Sequence, residues 1–354
     1  MPVAQLLDSS DALAVRYDVA LLDLDGVVYI GPNEVTGASA ALADARARGM
    51  RLAFVTNNAA RPPSAVAAQL SSLGIPATSA EVITSAQTAA HYLAERLPAA
   101  SRVLVVGTTG LVEALSERGL VPVSSADDRP QAVVQGYSPD TDWRMLAEGA
   151  VAIRRGLLWV ATNLDATVPS PRGPLPGNGS LVAALRHATG AVPVSTGKPD
   201  PTMHRETVER SGARRPLVVG DRLDTDIAGA EAVGCASLLV LTGVASATDL
   251  LSAPIGQRPS YVARDLGGLL GSHPAPAAAE GVVVCGGWTV FARGRRLHLA
   301  VRPGEVATGP GRRDGDSPLD ALRTLCVAAW NSGLTDCVAD DPAAAAILTE
   351  FRLA

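Results

Sequence analysis

The tightest constraint on this chain is a four-residue apolar run, Val19-Ala20-Leu21-Leu22, that stops abruptly at Asp23-Leu24-Asp25-Gly26-Val27. A short run without polar alternation reads as a strand buried on both faces, the kind found in parallel sheets covered by helices. On an extended backbone residues two apart share a face. Asp23 and Asp25 therefore point toward one volume just beyond the sheet edge, and Gly26 lets the chain turn away there. That arrangement suits a nucleophile and an acid acting on one substrate. An aspartate-rich turn after a strand is the plainer reading, and for an isolated Asp-x-Asp-Gly it is the better one. The residues further along decide between the two.

Gly37 to Gly49 reads as an Ala-rich helix ending at glycine, and Arg51-Leu52-Ala53-Phe54-Val55 as a second buried strand. It ends in Thr56-Asn57-Asn58, short neutral donors able to hold phosphate oxygens, or else an Asx-type turn leading into a helix start at Pro62-Pro63. A helix is expected over Ile83 to Leu97. Beyond it a second α/β alternation follows, with strands at Val103–Val106, Ala132–Val134 and Leu157–Val160 and helices over Leu111–Gly119 and Asp142–Arg155. The Gly107-Thr108-Thr109-Gly110 turn lacks the full dinucleotide fingerprint and reads as an ordinary strand-to-helix turn. The stretch from Ala161-Thr162-Asn163-Leu164-Asp165 through Pro169 to Gly179 is long, irregular and rich in Pro and Gly, which makes it a candidate for substrate contact, with a plain surface loop the close competitor.

Lys198, in Ser195-Thr196-Gly197-Lys198-Pro199, is the only lysine among 30 Lys and Arg residues. A lone ammonium among so many guanidinium groups marks a place where a compact point charge is wanted and a planar fork would not fit. A third buried strand, Leu217-Val218-Val219, then delivers Gly220-Asp221-Arg222-Leu223-Asp224-Thr225-Asp226, followed by a helix over Ile227 to Val233 and a strand over Ser237 to Leu241. Residues 272–280 read as a linker by composition. The rest forms a small unit of three strands, a glycine-rich loop and a helix opened by Ser317-Pro318.

A length of 354 residues suggests two or three domains, and the apolar runs alternating with helical patterns are those of an α/β protein. A net charge of -5 with scattered arginines argues against nucleic acid or an anionic membrane as the main partner. Neither a signal peptide nor a membrane span is legible, so a cytoplasmic location is expected. The cysteines (Cys235, Cys285, Cys326, Cys337) form no Cys-x-x-Cys pair and read as reduced thiols.

In an open parallel sheet the polar strand ends converge on one crevice. The resulting inventory is an aspartate pair, neutral donors, one ammonium and an acidic loop, which together suit phosphoryl transfer through an enzyme carboxylate. At ~4 Å and an effective dielectric of about 20, each like-charge pair between carboxylate and phosphate costs on the order of 4 kcal/mol, so cations are obligatory. Mg2+ held by Asp23, Asp221 and the backbone carbonyl of Asp25, with Lys198 beside the phosphate, meets that need. Asp23 is then the nucleophile and Asp25 the general acid and base, while Asp226 orients metal-bound water or Lys198 from outside the coordination sphere. Thr56, Asn57 and Asn58 complete the expected phosphate site.

The stretches Asp23 to Val27, Thr56 to Asn58, Gly197 to Pro199 and Gly220 to Asp226 resemble the four motifs of haloacid-dehalogenase-type phosphatases. The long interval between Thr56 and Lys198, with Ala161-Thr162-Asn163-Leu164-Asp165 in it, is similar to the class IIA, NagD or p-nitrophenyl-phosphatase-like branch. That resemblance implies a Rossmann-like core, a parallel sheet with helices on both faces, formed by residues 1–84 and 190–271. It implies a large α/β cap over 85–189, inserted between the second and third motifs, and leaves a small α+β C-terminal domain over 281–354. It also implies Mg2+, a small phosphorylated metabolite as substrate and homodimerisation through the cap. The tail makes the chain look most like bacterial glycerol-3-phosphate phosphatases with an acetyltransferase-like C-terminal unit. Having no Arg/Gln-x-x-Gly-x-Gly loop, the tail is expected to serve packing or assembly. Phosphoglycolate, pyridoxal phosphate and nucleoside monophosphates are the alternative substrates. An inactive metabolite-binding protein is the alternative outside enzymes.

Overall fold

The computed structural model describes residues 6–168, 172–302 and 318–353. Pro169 to Pro171 of the irregular loop, the glycine-rich stretch 303–316 and Ser317 lie outside the described residues. The chain forms two compact units, one of Met1–Ile30, Glu34–Arg51 and Arg214–Ala354, the other of Gly31–Asn33 and Leu52–Ala213.

In the first unit Val19–Leu22 is a strand with all four residues buried, as its unbroken apolar run requires. It pairs in parallel with Pro216–Gly220, which pairs with Ala236–Val240, which pairs with Tyr261–Ala263. The expected helix over Ile227 to Val233 is divided: a π-helical turn over Leu223–Ile227 leads into a short helix, Ala228–Ala232. The widened turn falls within the acidic loop, where π-turns often serve a site.

The same unit holds a second sheet. Ala277–Ala279, Val282–Cys285, Trp288–Arg293 and Arg296–Val301 follow one another antiparallel, and Cys337–Ala339 closes the sheet in parallel with Arg296–Val301. Residues 272–280 thus supply an edge strand, and His273 within them is buried. Two elements had no strong sequence signal, the Cys337–Ala339 strand and the Pro342–Glu350 helix, whose first turn is capped by the Asp341 carboxylate accepting from Ala344 N at 2.8 Å. The Pro318–Ser332 helix is buried over most of its length. Its Leu322, Leu325 and Ala329 belong to one apolar core with Leu223, Ile227, Leu239 and Leu250 of the parallel-sheet region and Val290 and Leu299 of the second sheet. Among the described residues, the C-terminal elements thus share one core with the outer part of the parallel sheet, Leu239 and Val262 included.

The second unit contains Arg51–Thr56 from Leu52 onward, paired in parallel with Val82–Thr84. This corrects the helix expected over Ile83 to Leu97: Val82–Thr84 is a buried strand and the helix spans Ser85–Ala94. Three β-branched residues resist the helix, and Thr84 ends the strand as a cap. Its hydroxyl accepts from Gln87 N at 3.3 Å while the Gln87 side chain accepts from Thr84 N at 3.2 Å. A five-stranded, all-parallel sheet follows, in the order Val194–Ser195, Leu158–Ala161, Ala132–Gln135, Arg102–Val106, Val121–Val123. Alternate residues feed opposite faces: Val103 joins the core beneath the Ser85–Ala94 and Thr109–Glu117 helices, and Leu104 and Val106 join the core beneath Trp143–Arg154 and Asn178–Thr189.

Because one core holds residues of both sheets of the first unit, truncating the fully buried Leu325 to alanine should destabilise the parallel sheet and the tail together. The expected loss is about 3 kcal/mol. Calorimetry should show one transition moved to lower temperature; a second transition appearing while the first keeps its midpoint would contradict a shared core.

Candidate active site

Three carboxylates gather in the first unit. Asp23, Asp221 and Asp226 each offer an oxygen, and these oxygens all lie within 4.8 Å of one another. Asp23 follows its strand directly and donates its backbone N–H to Val219 O at 2.9 Å, so the ladder with the neighbouring strand fixes where it leaves the sheet. Asp221 follows Gly220 in the same way from Pro216–Gly220. Asp226 lies in the π-turn and accepts from Arg222 N at 3.2 Å. Asp221 and Asp226 are buried, Asp23 is partly exposed and Asp25 is exposed. At such separations each pair of like charges costs about 3 to 4 kcal/mol at an effective dielectric near 20.

Glycines make this crowding sterically feasible. A Cβ on Gly26, whose φ is +85°, would lie 2.5 Å from Asp221 Oδ2, and one on Gly243 would overlap the same carboxylate. A Cβ on Gly220 would run into Asp226. The Asp221 carboxylate is also oriented by the loop after the Ala236–Val240 strand: Val244 N donates to Oδ2 at 2.7 Å, and Ala245 N donates to the Asp221 carbonyl at 2.9 Å. Thr242 Oγ1 donates to Gly26 O at 2.6 Å and ties the turn after Asp25 to that loop. This loop carried no functional reading in the sequence, although a Thr-Gly turn at the end of a buried strand is the available signal. Three hard oxygen donors in a glycine-lined cradle fit Mg2+, which prefers carboxylates and retains water. The residues that would hold it are Asp23, Asp221 and the Asp25 backbone, with the Asp226 carboxylate in the same cluster.

The second unit carries the other motif residues. Thr56 ends its strand buried, and its hydroxyl accepts from Asn58 N at 3.1 Å. Asn58 is exposed and its side-chain oxygen accepts from Ala60 N at 2.8 Å, so the Asx turn that the sequence left open does form. The Asn57 amide was expected as a phosphate donor, yet it is engaged inside the protein. Its Nδ2 donates to Asp165 Oδ2 at 3.1 Å and to Lys198 O at 3.1 Å, while its Oδ1 accepts from Lys198 N at 2.9 Å. Asn163 Nδ2 and Ser85 Oγ both donate to the Asn57 carbonyl, at 2.7 and 2.6 Å. Asn57 is therefore a hub joining its own turn to Asp165 and to the peptide of Lys198. A Cβ on Gly197 would sit 2.7 Å from Asn57 Oδ1, which accounts for the glycine before the lysine.

Lys198 is buried and its Nζ donates to Val55 O at 3.4 Å. Nearby, His204 on the Pro201–Ser211 helix is fully buried; desolvation first, and then the Lys198 charge, pull its pKa down to about 3. It stays a neutral imidazole, which leaves the positive charge at this position to Lys198. Asn163 and Asp165, which fall within the stretch expected to contact substrate, hold Asn57. Their signal was an amide and a carboxylate at the end of a buried strand, the same signature as the other motifs.

Residues 20–121 match a family described as haloacid dehalogenase-like hydrolase, residues 195–269 match one described as HAD-hydrolase-like, and residues 285–353 match a GCN5-related N-acetyltransferase like domain. The chain is 46% identical, over 92% of its length and 89% of the relative's, to a protein of Mycobacterium tuberculosis named D-glycerol 3-phosphate phosphatase. It is 35% identical, over 71% of its length and 96% of the relative's, to a Staphylococcus aureus protein named acid sugar phosphatase. Among solved structures, the glycerol phosphate phosphatase of M. tuberculosis in complex with magnesium superposes with a TM-score of 0.87 at 44% identity, covering 97% of this chain and 100% of that one. The p-nitrophenyl phosphatase of Archaeoglobus fulgidus superposes at 0.67 with 29% identity, covering 72% and 98%. With these two hydrolase matches and 46% identity over most of both chains to a named phosphatase, the chain belongs to the haloacid dehalogenase-like hydrolases.

Proposed function

We propose that this Mg2+-dependent phosphomonoester hydrolase takes glycerol 3-phosphate as its substrate and releases glycerol and inorganic phosphate. The observation that carries the chemistry is the cluster of Asp23, Asp221 and Asp226, three carboxylates crowded where a hard divalent cation and an attacking carboxylate are both needed. What favours glycerol 3-phosphate over other esters is the extent of likeness, 92% of this chain for the mycobacterial glycerol-phosphate enzyme against 71% for the acid sugar phosphatase.

In this reading an Asp23 carboxylate oxygen attacks phosphorus, and the bond from phosphorus to the glycerol oxygen breaks. Asp25, exposed two residues on, gives its proton to that departing oxygen. The acyl phosphate on Asp23 is then cleaved by water, whose proton passes to Asp25 as phosphate leaves, restoring both side chains. When bound, Mg2+ supplies positive charge that offsets the repulsion between Asp23 and the phosphate dianion. Lys198 is proposed to bind a phosphate oxygen, together with the Thr56 hydroxyl and groups of Asn57 and Asn58. Asp226 is proposed to orient water or a liganding oxygen rather than to react. Homodimerisation through the second unit belongs to the same proposal, supported by Trp143, an aromatic residue 79% exposed on that unit. So does a cytoplasmic setting, supported by four cysteines that are all free thiols; among the described residues no helix is long and apolar enough to cross a membrane.

Asp23→Asn should reduce turnover by about four orders of magnitude or more with Mg2+ present and melting temperature preserved, as expected when a nucleophile is removed from an intact site. Retention of a tenth of the activity would exclude Asp23 as nucleophile. Lys198→Arg keeps the charge but replaces a compact ammonium in a buried position with a planar fork, and kcat/KM is expected to fall by about a hundredfold. A value within threefold of the unaltered chain would remove the proposed requirement for lysine. On a side-by-side panel of glycerol 3-phosphate, phosphoglycolate, pyridoxal phosphate, hexose phosphates and nucleoside monophosphates, glycerol 3-phosphate should show the highest kcat/KM; a higher value for another ester would redirect the assignment to it.

A further inference from the structure

The loop that orients Asp221 is continuous with a helix too short to hold its own place. Ala247–Leu251 has five residues, capped by Ser246, whose hydroxyl accepts from Asp249 N at 3.2 Å while the Asp249 carboxylate accepts from Ser246 N at 2.9 Å. A single turn of helix is unstable on its own, so its position must come from packing. That packing is supplied by the C-terminal elements. Ala247, Leu250 and Leu251 belong to the core that contains Leu322, Leu325, Cys326 and Ala329 of the Pro318–Ser332 helix. One directional contact is added to the apolar ones: Trp330 Nε1 donates to Leu250 O at 2.9 Å, a buried bond between residues 80 positions apart. The Arg258 guanidinium lies over the same indole, 5.2 Å from the ring centroid.

Six residues before Leu250 the chain reaches Val244, whose N–H holds Asp221 Oδ2, and the next residue, Ala245, holds the Asp221 carbonyl. Thr242 holds the turn at Gly26 from the same loop. We infer that Trp330 is a positioning residue for the cation site: by pinning the Ala247–Leu251 helix it keeps the 242–246 loop against Asp221, so that this carboxylate is already oriented when the divalent cation arrives. The inference rests on the reading of Asp23, Asp221 and Asp226 as the Mg2+ site. It assigns the C-terminal elements a share in cation affinity beyond their share in stability. A looser loop leaves Asp221 free to turn, and the binding energy of the cation must then also order it. The nucleophile has its own anchor in the strand ladder, so chemistry at saturating cation is expected to be unaffected.

The test uses the full-length chain with Mg2+ as the probe, comparing Trp330→Phe with Leu348→Ala. Phenylalanine keeps most of the packing and removes the N–H donor. Leu348 is a buried member of the same core on the Pro342–Glu350 helix, which packs on the Cys337–Ala339 and Arg296–Val301 strands. Calorimetric titration should show Mg2+ binding about fivefold weaker in Trp330→Phe, the size expected for loss of one buried hydrogen bond. The Mg2+ concentration for half-maximal phosphatase activity should rise by the same factor, with kcat at saturating Mg2+ and KM for the ester unchanged. Leu348→Ala should lower the melting temperature and leave the Mg2+ titration as in the unaltered chain. The inference is overturned if Trp330→Phe binds Mg2+ normally, or if both variants weaken binding in proportion to lost stability. An unaltered chain that binds no Mg2+ would sink the reading of the site itself, and that result would be evident before any variant was made.

Discussion

Mutual repulsion among three carboxylates is the constraint to which the first unit answers. Asp23, Asp221 and Asp226 bring oxygens within 4.8 Å of one another, two of the three residues being buried. Hard oxygen donors held this close together suit a divalent cation, whose two positive charges offset the repulsion among them. The scaffold explains how the arrangement persists. Two of the acids follow strands paired in parallel, so ladder hydrogen bonds fix their backbones independently of what their side chains prefer. Glycines at 26, 220 and 243 remove the Cβ atoms that would hold the carboxylates apart. Backbone N–H groups of Val244 and Arg222 meet Asp221 and Asp226 as neutral donors, orienting the charge without cancelling it.

The second unit handles its one buried ammonium by a different device. Lys198 is held by its peptide group, through the reciprocal pair of bonds with the Asn57 amide, while its Nζ donates to a carbonyl. An amide suits this hub because it both donates and accepts, which a carboxylate or a hydroxyl cannot do in the same geometry. Asp165 then fixes which way the amide faces, since a carboxylate can only accept. The buried His204 completes the electrostatics: kept neutral by burial and by the lysine charge, it adds no second cation beside Lys198.

The aspartates and Thr56 were legible in the sequence because they follow or end apolar runs buried on both faces, and Lys198 because it is the only lysine. The parallel strands from Val19, Leu52 and Leu217 onward are such runs, and so are Val103–Val106 and Ala132–Val134. What was not legible depended on partners distant in sequence. The role of Asn57 as an internal hub required knowing that Asp165 and Lys198 lie beside it. Val82–Thr84 read as helix because three residues are too few for a period to show, although the Thr84 and Gln87 capping box marked the true helix start. The acidic loop was legible as a motif that leads into a helix, but its π-turn, which sets where Asp226 falls, has no signature in residue type. Ala277–Ala279 read as linker because alanine is indifferent to context; only the partner strand from Val282 makes it an edge.

The C-terminal elements show why resemblance to a separate domain family does not make a separate physical domain. Residues 285–353 match an acetyltransferase-like family, yet their helix and strands contribute to the core that contains Leu223 and Ile227, next to the acidic loop, and Leu250, next to the loop that orients Asp221. An attached domain with its own core could be lost or replaced with little effect on the parallel sheet. A helix that fills the core of its neighbour cannot, because removing it would expose apolar surface and leave the Leu250 carbonyl without the Trp330 indole.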